Sequence, residues 1–125
     1  MTAQTVHPSR VQGGNTLLYV FSPSRQDHLY QLQMETLADR QRTLEGHNVV
    51  IAEVFEHEHG HVGAQDLRPE NGHALRRDYH IMPGQFKVVL VGKDSCVKLR
   101  AESCISCEEV IMRVENEPIE MESVI

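Results

Sequence analysis

Two cysteines near the carboxyl end of the chain have the spacing of a redox or metal-binding pair. They form the motif Cys104-Ile105-Ser106-Cys107, and thiols separated by two residues are typical of a reversible disulfide or of half a zinc site. If Ser106 caps a following helix, the helix dipole lowers the pKa of the Cys107 thiol, while Glu108 and Glu109 oppose this by like charge. Cys96, one strand earlier, is a possible third partner. The alternative is that all three are small thiols without chemistry.

A histidine-rich segment in the middle of the chain is the second candidate for chemistry. Residues 56–61 read Glu-His-Glu-His-Gly-His, and His73 and His80 follow. The spacing His57-Glu58-x-x-His61 formally matches the HExxH motif of zinc peptidases, but that motif needs a helix, whereas this one follows a strand and contains a glycine. If the segment is extended, His57, His59 and His61 share one face and form a site for Zn²⁺ or another divalent transition metal. The alternative is a solvated loop that holds no metal.

One group of basic residues extends from a short predicted helix to a predicted hairpin. Arg76 and Arg77 precede Lys93, Lys98 and Arg100, and the last two alternate with apolar residues, so that they share one face of a strand. We predict that Lys93, Lys98 and Arg100 bind an anionic partner such as a sulfated polysaccharide or an acidic protein. The alternative is that these charges protect an outermost strand from pairing with another chain.

The composition limits the classes of function. The chain has 125 residues and a net charge of −6, all of which arises after Ala101, where seven glutamates face a single arginine, Arg113. Such a segment argues against a nucleic-acid surface, and no basic and aromatic stripe is present elsewhere. No apolar stretch has the roughly 20 residues of a membrane span, and no signal peptide is visible. Because three clustered cysteines favour a reducing compartment, we expect a soluble protein, cytoplasmic rather than exported, and a monomer or weak homodimer.

Hydrophobic periodicity predicts one domain with two short ends. We predict a flexible leader at 1–15, the domain at 16–116 and an acidic tail at 117–125. Continuous apolar runs predict strands, capping residues followed by apolar stripes predict helices, and the polar stretch 56–67 predicts a loop. The predicted strands are 17–21, 48–55, 86–91 and 96–100. Three helices are predicted: the first begins at Ser22 or Ser24 and is stopped by Gly46, the second extends from Pro69 to residue 79, and the third begins after Ser106 and ends at Pro118.

This order of elements resembles a known fold. The order β-α-β-α-β-β-α is that of the thioredoxin core, an α/β fold with a mixed four-stranded sheet and helices on both faces. The segments YHIMPG at 79–84, FKVVLVGKD at 86–94 and VKLR at 97–100 are similar to a peroxiredoxin-like domain of unknown function. That domain stands alone in bacterial proteins and is embedded in extracellular sushi-repeat and matrix proteins. The resemblance extends over about residues 16–115 and supplies no catalytic residue.

The resemblance also identifies where a thioredoxin carries its reactive cysteine, at the start of the first long helix. Residues 24–28 read Ser-Arg-Gln-Asp-His there, and we expect Ser24 to be a helix cap rather than a nucleophile. The sequence therefore predicts a non-catalytic interaction domain that binds a protein or an anionic partner without a cofactor. Two alternatives remain: a thiol oxidoreductase that uses Cys104 and Cys107, and a metal-binding protein that uses the histidine segment.

Overall fold

A computed structural model describes residues 15–115, which form a sheet with helices on both faces. Most of the predicted leader and the whole predicted tail, including Pro118, lie outside the described residues. The elements are β1 (Thr16–Ser22), α1 (His28–Ala38), α2 (Gln41–Gly46), β2 (Val49–Phe55), β3 (Gly60–Val62), β4 (Gln65–Leu67), α3 (Pro69–Asp78), β5 (Lys87–Val91), β6 (Val97–Ala101) and α4 (Cys107–Glu115). The six strands lie in the order β4-β3-β2-β1-β5-β6.

Strand β1 is central to this sheet, and all seven of its residues are buried. It pairs in parallel with β2, from Thr16 opposite Val49 to Ser22 opposite Phe55. On its other side it pairs antiparallel with β5, which forms the predicted hairpin with β6. A strand covered on both faces is expected to be a continuous apolar run rather than an alternating one, which explains the sequence LLYVF.

The two faces of the sheet carry separate cores. On one face, Leu18 and Val20 of β1 pack in a cluster with Leu37 of α1, Leu44 of α2 and Val110 of α4. On the other face, the cluster contains Tyr19 and Phe21 of β1 with Leu75 of α3 and Ile81. The predicted arrangement of helices on both faces is therefore confirmed. Within residues 15–115, no helix is both long enough and apolar enough to span a membrane.

The first predicted helix is wrong at its start and in its continuity. Asp27, not Ser22 or Ser24, is the N-cap, because residues 24–27 form a turn in which the Asp27 N–H donates to the Ser24 carbonyl at 3.2 Å. The Asp27 carboxylate then accepts from the Tyr30 N–H at 3.2 Å. The helix ends at Ala38, and α2 begins at Gln41 after two intervening residues. Leu37 and Leu44 nevertheless lie in the same core cluster.

The residue that turns the chain after α2 is also not the predicted one. Gly46 is the last residue of the helix instead of the residue after it. Asn48 has a φ of 60°, and its N–H donates to the Glu45 carbonyl at 3.0 Å. Asparagine is the residue that most often replaces glycine in this left-handed conformation.

The predicted loop at 56–67 contains two strands, so the sheet has six strands rather than four. β3 pairs antiparallel with β2, and β4 pairs antiparallel with β3 across a turn of Gly63 and Ala64. Gly63 has a φ of 60°, as two-residue hairpin turns require at their first central position. Strands of three residues are too short to show alternation, and only Val62 and Leu67 contribute buried apolar side chains here.

Gly60 allows β3 to approach β2. A Cβ atom at this position would lie 1.9 Å from the backbone oxygen of Glu53. No side-chain rotation relieves a contact with backbone, so any larger residue at position 60 must separate the two strands. Gly60 is therefore a requirement of the sheet extension.

We expect the substitution Gly60→Ala to lower the free energy of unfolding by about 1–3 kcal/mol, the usual cost of forcing atoms into a packed site. Gly46→Ala is the matched control, because a Cβ there meets nothing within 4 Å and alanine is favoured over glycine in a helix by about 1 kcal/mol. Urea unfolding of both variants measures the difference. Equal stability of the two variants would contradict the close approach at Gly60.

Candidate functional site

The carboxyl ends of β1 and β2 form the edge of the sheet where a ligand site is expected. The two strands are parallel neighbours, and the first helices after them, α1 and α3, contribute to core clusters on opposite faces. In open α/β sheets, ligands bind in the crevice outside the strand ends where the chain departs to opposite faces. Residues 23–27 and 56–59 line this edge.

Arg25 lies in the segment just before α1, within residues 24–28, where the resemblance to thioredoxin places the reactive cysteine. Its Nη2 donates to the carbonyl of His59 at 2.8 Å, and its Nη1 lies 3.6 Å from a carboxylate oxygen of Glu58. The guanidinium also lies over the ring of Phe55, 4.6 Å from its centroid. Arg25 thus connects the segment before α1 with the segment after β2 through its contacts with Glu58 and His59.

A buried glutamine connects α1 with the segment that carries the CxxC motif. Gln33 is fully buried; its Nε2 donates to the carbonyl of Ile105 at 3.0 Å, and the Ile105 N–H donates to its Oε1 at 2.8 Å. The side-chain amide therefore satisfies both polar groups of the residue between the two cysteines. Gln33 was not among the predicted core residues, but it lies three residues after Tyr30 and four before Leu37, on the same side of the helix as both. That spacing is the signal from which its burial was predictable.

The two cysteines of the motif point their thiols at α1. Cys104 Sγ lies 3.3 Å from the Leu29 carbonyl, and Cys107 Sγ lies 3.6 Å from the Thr36 carbonyl. These acceptors are seven residues apart on one helix, about 10 Å along its axis, so the sulfurs cannot form a bond while both contacts persist. Cys104, Cys107 and the exposed Cys96, in the turn before β6, are all free thiols.

The environment of both thiols favours the protonated form. Burial raises the pKa of Cys104, and the charge of Asp27 adds to the increase. Burial likewise raises the pKa of Cys107, with a further increase from Glu108 and a partial reduction from Arg40. The pKa of Cys107 is therefore raised and not lowered, in contrast to the effect predicted from the helix dipole. The predicted cap is confirmed, because Ser106 Oγ accepts from the Glu109 N–H at 3.1 Å.

The three candidate metal-binding histidines do not share a strand face. Only His61 lies within β3, while His57 and His59 precede the strand in a bend, so the two-residue period does not extend over all three. His59 Nδ1 lies 3.0 Å from an Asp66 carboxylate oxygen, and the His57 ring lies 6.2 Å from the His73 ring. In the part of the chain from 15 to 115, no group of three or more histidine, cysteine, aspartate or glutamate side chains is placed to hold a metal ion.

The predicted basic group is divided by the fold. β6 is an edge strand, and Arg100 Nη2 donates to the Tyr79 carbonyl at 3.0 Å, which places the hairpin against the end of α3. Lys98 Nζ lies 3.0 Å from an Asp94 carboxylate oxygen, and Lys93 is exposed. Arg76, in contrast, is buried and belongs to the interior side of α3.

Comparison with solved structures identifies the fold. The chain is similar to Prx1a of Plasmodium yoelii, a protein modified at its N-terminus that forms an artifactual octamer, with a TM-score of 0.70, 13% identity, and coverage of 96% of this chain and 84% of that one. It is also similar to the reduced 2-Cys peroxiredoxin of Plasmodium vivax, with a TM-score of 0.65, 12% identity, and coverage of 91% and 83%. AhpC of Mycobacterium tuberculosis has a TM-score of 0.61, 8% identity, and coverage of 91% and 74%. The structural similarity establishes the thioredoxin-like fold, as predicted. Sequence identities this low show nothing of the activity.

The sequence itself matches one family over most of its length. No curated protein matches the chain. The family described as a domain of unknown function, DUF4174, matches residues 8–122, a range that includes every described element. The resemblance to a domain of unknown function with a peroxiredoxin-like fold is thereby confirmed: the chain belongs to the DUF4174 family.

Proposed function

We propose that this thioredoxin-like domain is a non-catalytic binding module for an anionic partner. The observation that carries the proposal is the composition of residues 24–28, which contain no cysteine and in which Arg25 is held by Glu58 and the His59 carbonyl. A thiol-dependent reaction needs a thiolate at an accessible place. Here the start of α1 presents a paired cation instead.

The two thiols of the CxxC motif support the same conclusion. Both lie against backbone carbonyls of α1, and burial raises the pKa of each. Because the thiolate is the nucleophile in disulfide exchange, these thiols are poorly reactive at neutral pH. Formation of a Cys104–Cys107 disulfide would also require loss of at least one contact with α1.

We expect the wild-type protein to catalyse neither disulfide reduction nor peroxide reduction above the uncatalysed rate. The measurement is insulin reduction and hydrogen peroxide consumption, each with dithiothreitol as reductant. Cys104→Ser and Cys107→Ser should leave both rates unchanged, and Cys96→Ser is the matched control for loss of an exposed thiol. A rate enhancement that disappears in Cys107→Ser but persists in Cys96→Ser would establish the alternative, a thiol oxidoreductase.

The partner surface that we propose is the basic hairpin face, formed by Lys93, Lys98 and Arg100. Arg100 is opposite Val89 in the β5–β6 register and is therefore on the face of the sheet that α3 covers. Its contact with Tyr79 engages one guanidinium nitrogen, and an arginine has further donors for a sulfate or carboxylate. Lys98 is partly neutralised by Asp94, whereas Lys93 and Arg100 are exposed.

We expect the double substitution Lys93→Ala/Arg100→Ala to weaken binding to heparin, a sulfated polysaccharide, by about tenfold, because each exposed charge contributes roughly 0.5–1 kcal/mol. The measurement is the dissociation constant for heparin at low salt, together with its increase as salt is added. Arg42→Ala/Arg68→Ala removes the same charge from exposed positions elsewhere. An equal loss in both double variants, or no binding by the wild-type protein, would contradict this surface.

A further inference from the structure

A cleft at the carboxyl end of β2 has the composition of a small anion site. It has a volume of about 390 Å³ and is lined by residues that include Glu56, His57, His73, Arg76, Arg77 and Pro83. His73, Arg76 and Arg77 are spaced by three and four residues on α3, so they project from one side of that helix. This volume is in the range of small-molecule sites, about 300–1,000 Å³.

Arg76 is the central group of this cleft. The residue is only 7% exposed; its Nη2 donates to the Met82 carbonyl at 3.2 Å and lies 3.5 Å from a Glu56 carboxylate oxygen. Its Nη1 is buried and has no hydrogen-bond partner within residues 15–115. Buried charged donors are almost always paired in native proteins, so an unpaired guanidinium nitrogen beside a cleft indicates a ligand acceptor.

The charges around the cleft favour an anion over a cation. Glu56 is its only carboxylate among the lining residues, and that carboxylate already accepts from the Gly84 N–H at 2.6 Å. This carboxylate also pairs with Arg76, so the lining contains two guanidinium charges, those of Arg76 and Arg77, and one carboxylate charge. The local charge is positive although the whole chain is negative.

A histidine on the same side of α3 as Arg76 contacts the start of the segment that follows β2. His73 Nε2 lies 2.6 Å from the backbone oxygen of Glu56. A carbonyl oxygen only accepts hydrogen bonds, so Nε2 carries the proton and the ring is held against the end of β2. The cleft thus lies between the segment after β2 and α3.

We propose that this cleft binds the oxyanion group of a small molecule, a carboxylate or a phosphate, through the guanidinium groups of Arg76 and Arg77. Guanidinium recognises both groups with paired hydrogen bonds. Nη1 of Arg76 is closed to solvent, so an acceptor pairs with this donor only after the side chains around it have moved. The site is separate from the basic hairpin face and does not depend on it.

Calorimetric titration of the full chain with inorganic phosphate, and separately with malonate, tests the proposal. We expect saturable binding of one equivalent of at least one of the two ions, and a dissociation constant at least tenfold weaker in Arg77→Ala, whose side chain is exposed and whose loss leaves the core intact. Arg76→Lys keeps the charge but removes the planar fork, so it should also weaken binding at least tenfold. Binding of phosphate alone, or of malonate alone, identifies the class of ligand.

Two control variants separate this cleft from other positive charges. Arg42→Ala removes an exposed arginine from α2, and Lys93→Ala/Arg100→Ala removes the basic hairpin face; both should bind the ions with unchanged affinity. The proposal is overturned if neither ion gives saturable heat, or if Arg77→Ala binds as tightly as the wild-type protein. Loss of ion binding in the hairpin variant alone would assign the heat to that surface and would also overturn it.

Discussion

The two hydrogen bonds between Gln33 and Ile105 are the interaction on which the arrangement around α1 depends. A fully buried amide is tolerated only when both its donor and its acceptor are paired, and here a single residue pairs both. The contact fixes the segment before α4 against α1 and thereby places Cys107 and Val110 in the core. It also directs the flanking thiols to carbonyls of α1. In this arrangement the thiols of the CxxC motif are donors to carbonyls of α1 rather than partners of each other.

The two faces of the sheet carry different functional groups. The face covered by α1, α2 and α4 holds the buried Cys107 and the half-buried Cys104, and the pKa of each thiol is raised. The ion pair of Arg25 with Glu58 lies beside the start of α1. The face covered by α3 carries Arg100 of the basic hairpin face and the cleft at Arg76. A thioredoxin-like fold does not itself confer redox activity, and we infer that this domain has its binding capacity on the α3 face.

Local signals in the sequence were sufficient for the main elements and insufficient for the site. The apolar run of β1, the hairpin around residues 92–95 and the Ser106 cap depend on near neighbours, and each was predicted. The strands β3 and β4 depend on pairing with β2, and a three-residue strand has no periodicity of its own. The burial of Arg76 depends on Met82 and Glu56, and the separation of the histidines depends on the bend before Gly60. These are contacts between distant residues, which composition and spacing do not specify.

The most direct test of a structural role for the CxxC motif is the pH dependence of alkylation of each cysteine in the native protein. Mass spectrometry after brief exposure to iodoacetamide gives a titration for Cys104 and for Cys107, and the same protein unfolded in urea gives the reference. We predict that both native titrations lie at higher pH than their unfolded counterparts, because burial raises both pKa values. A native titration of either thiol at lower pH than in the unfolded chain would mean an activated thiolate, and would contradict the non-catalytic assignment.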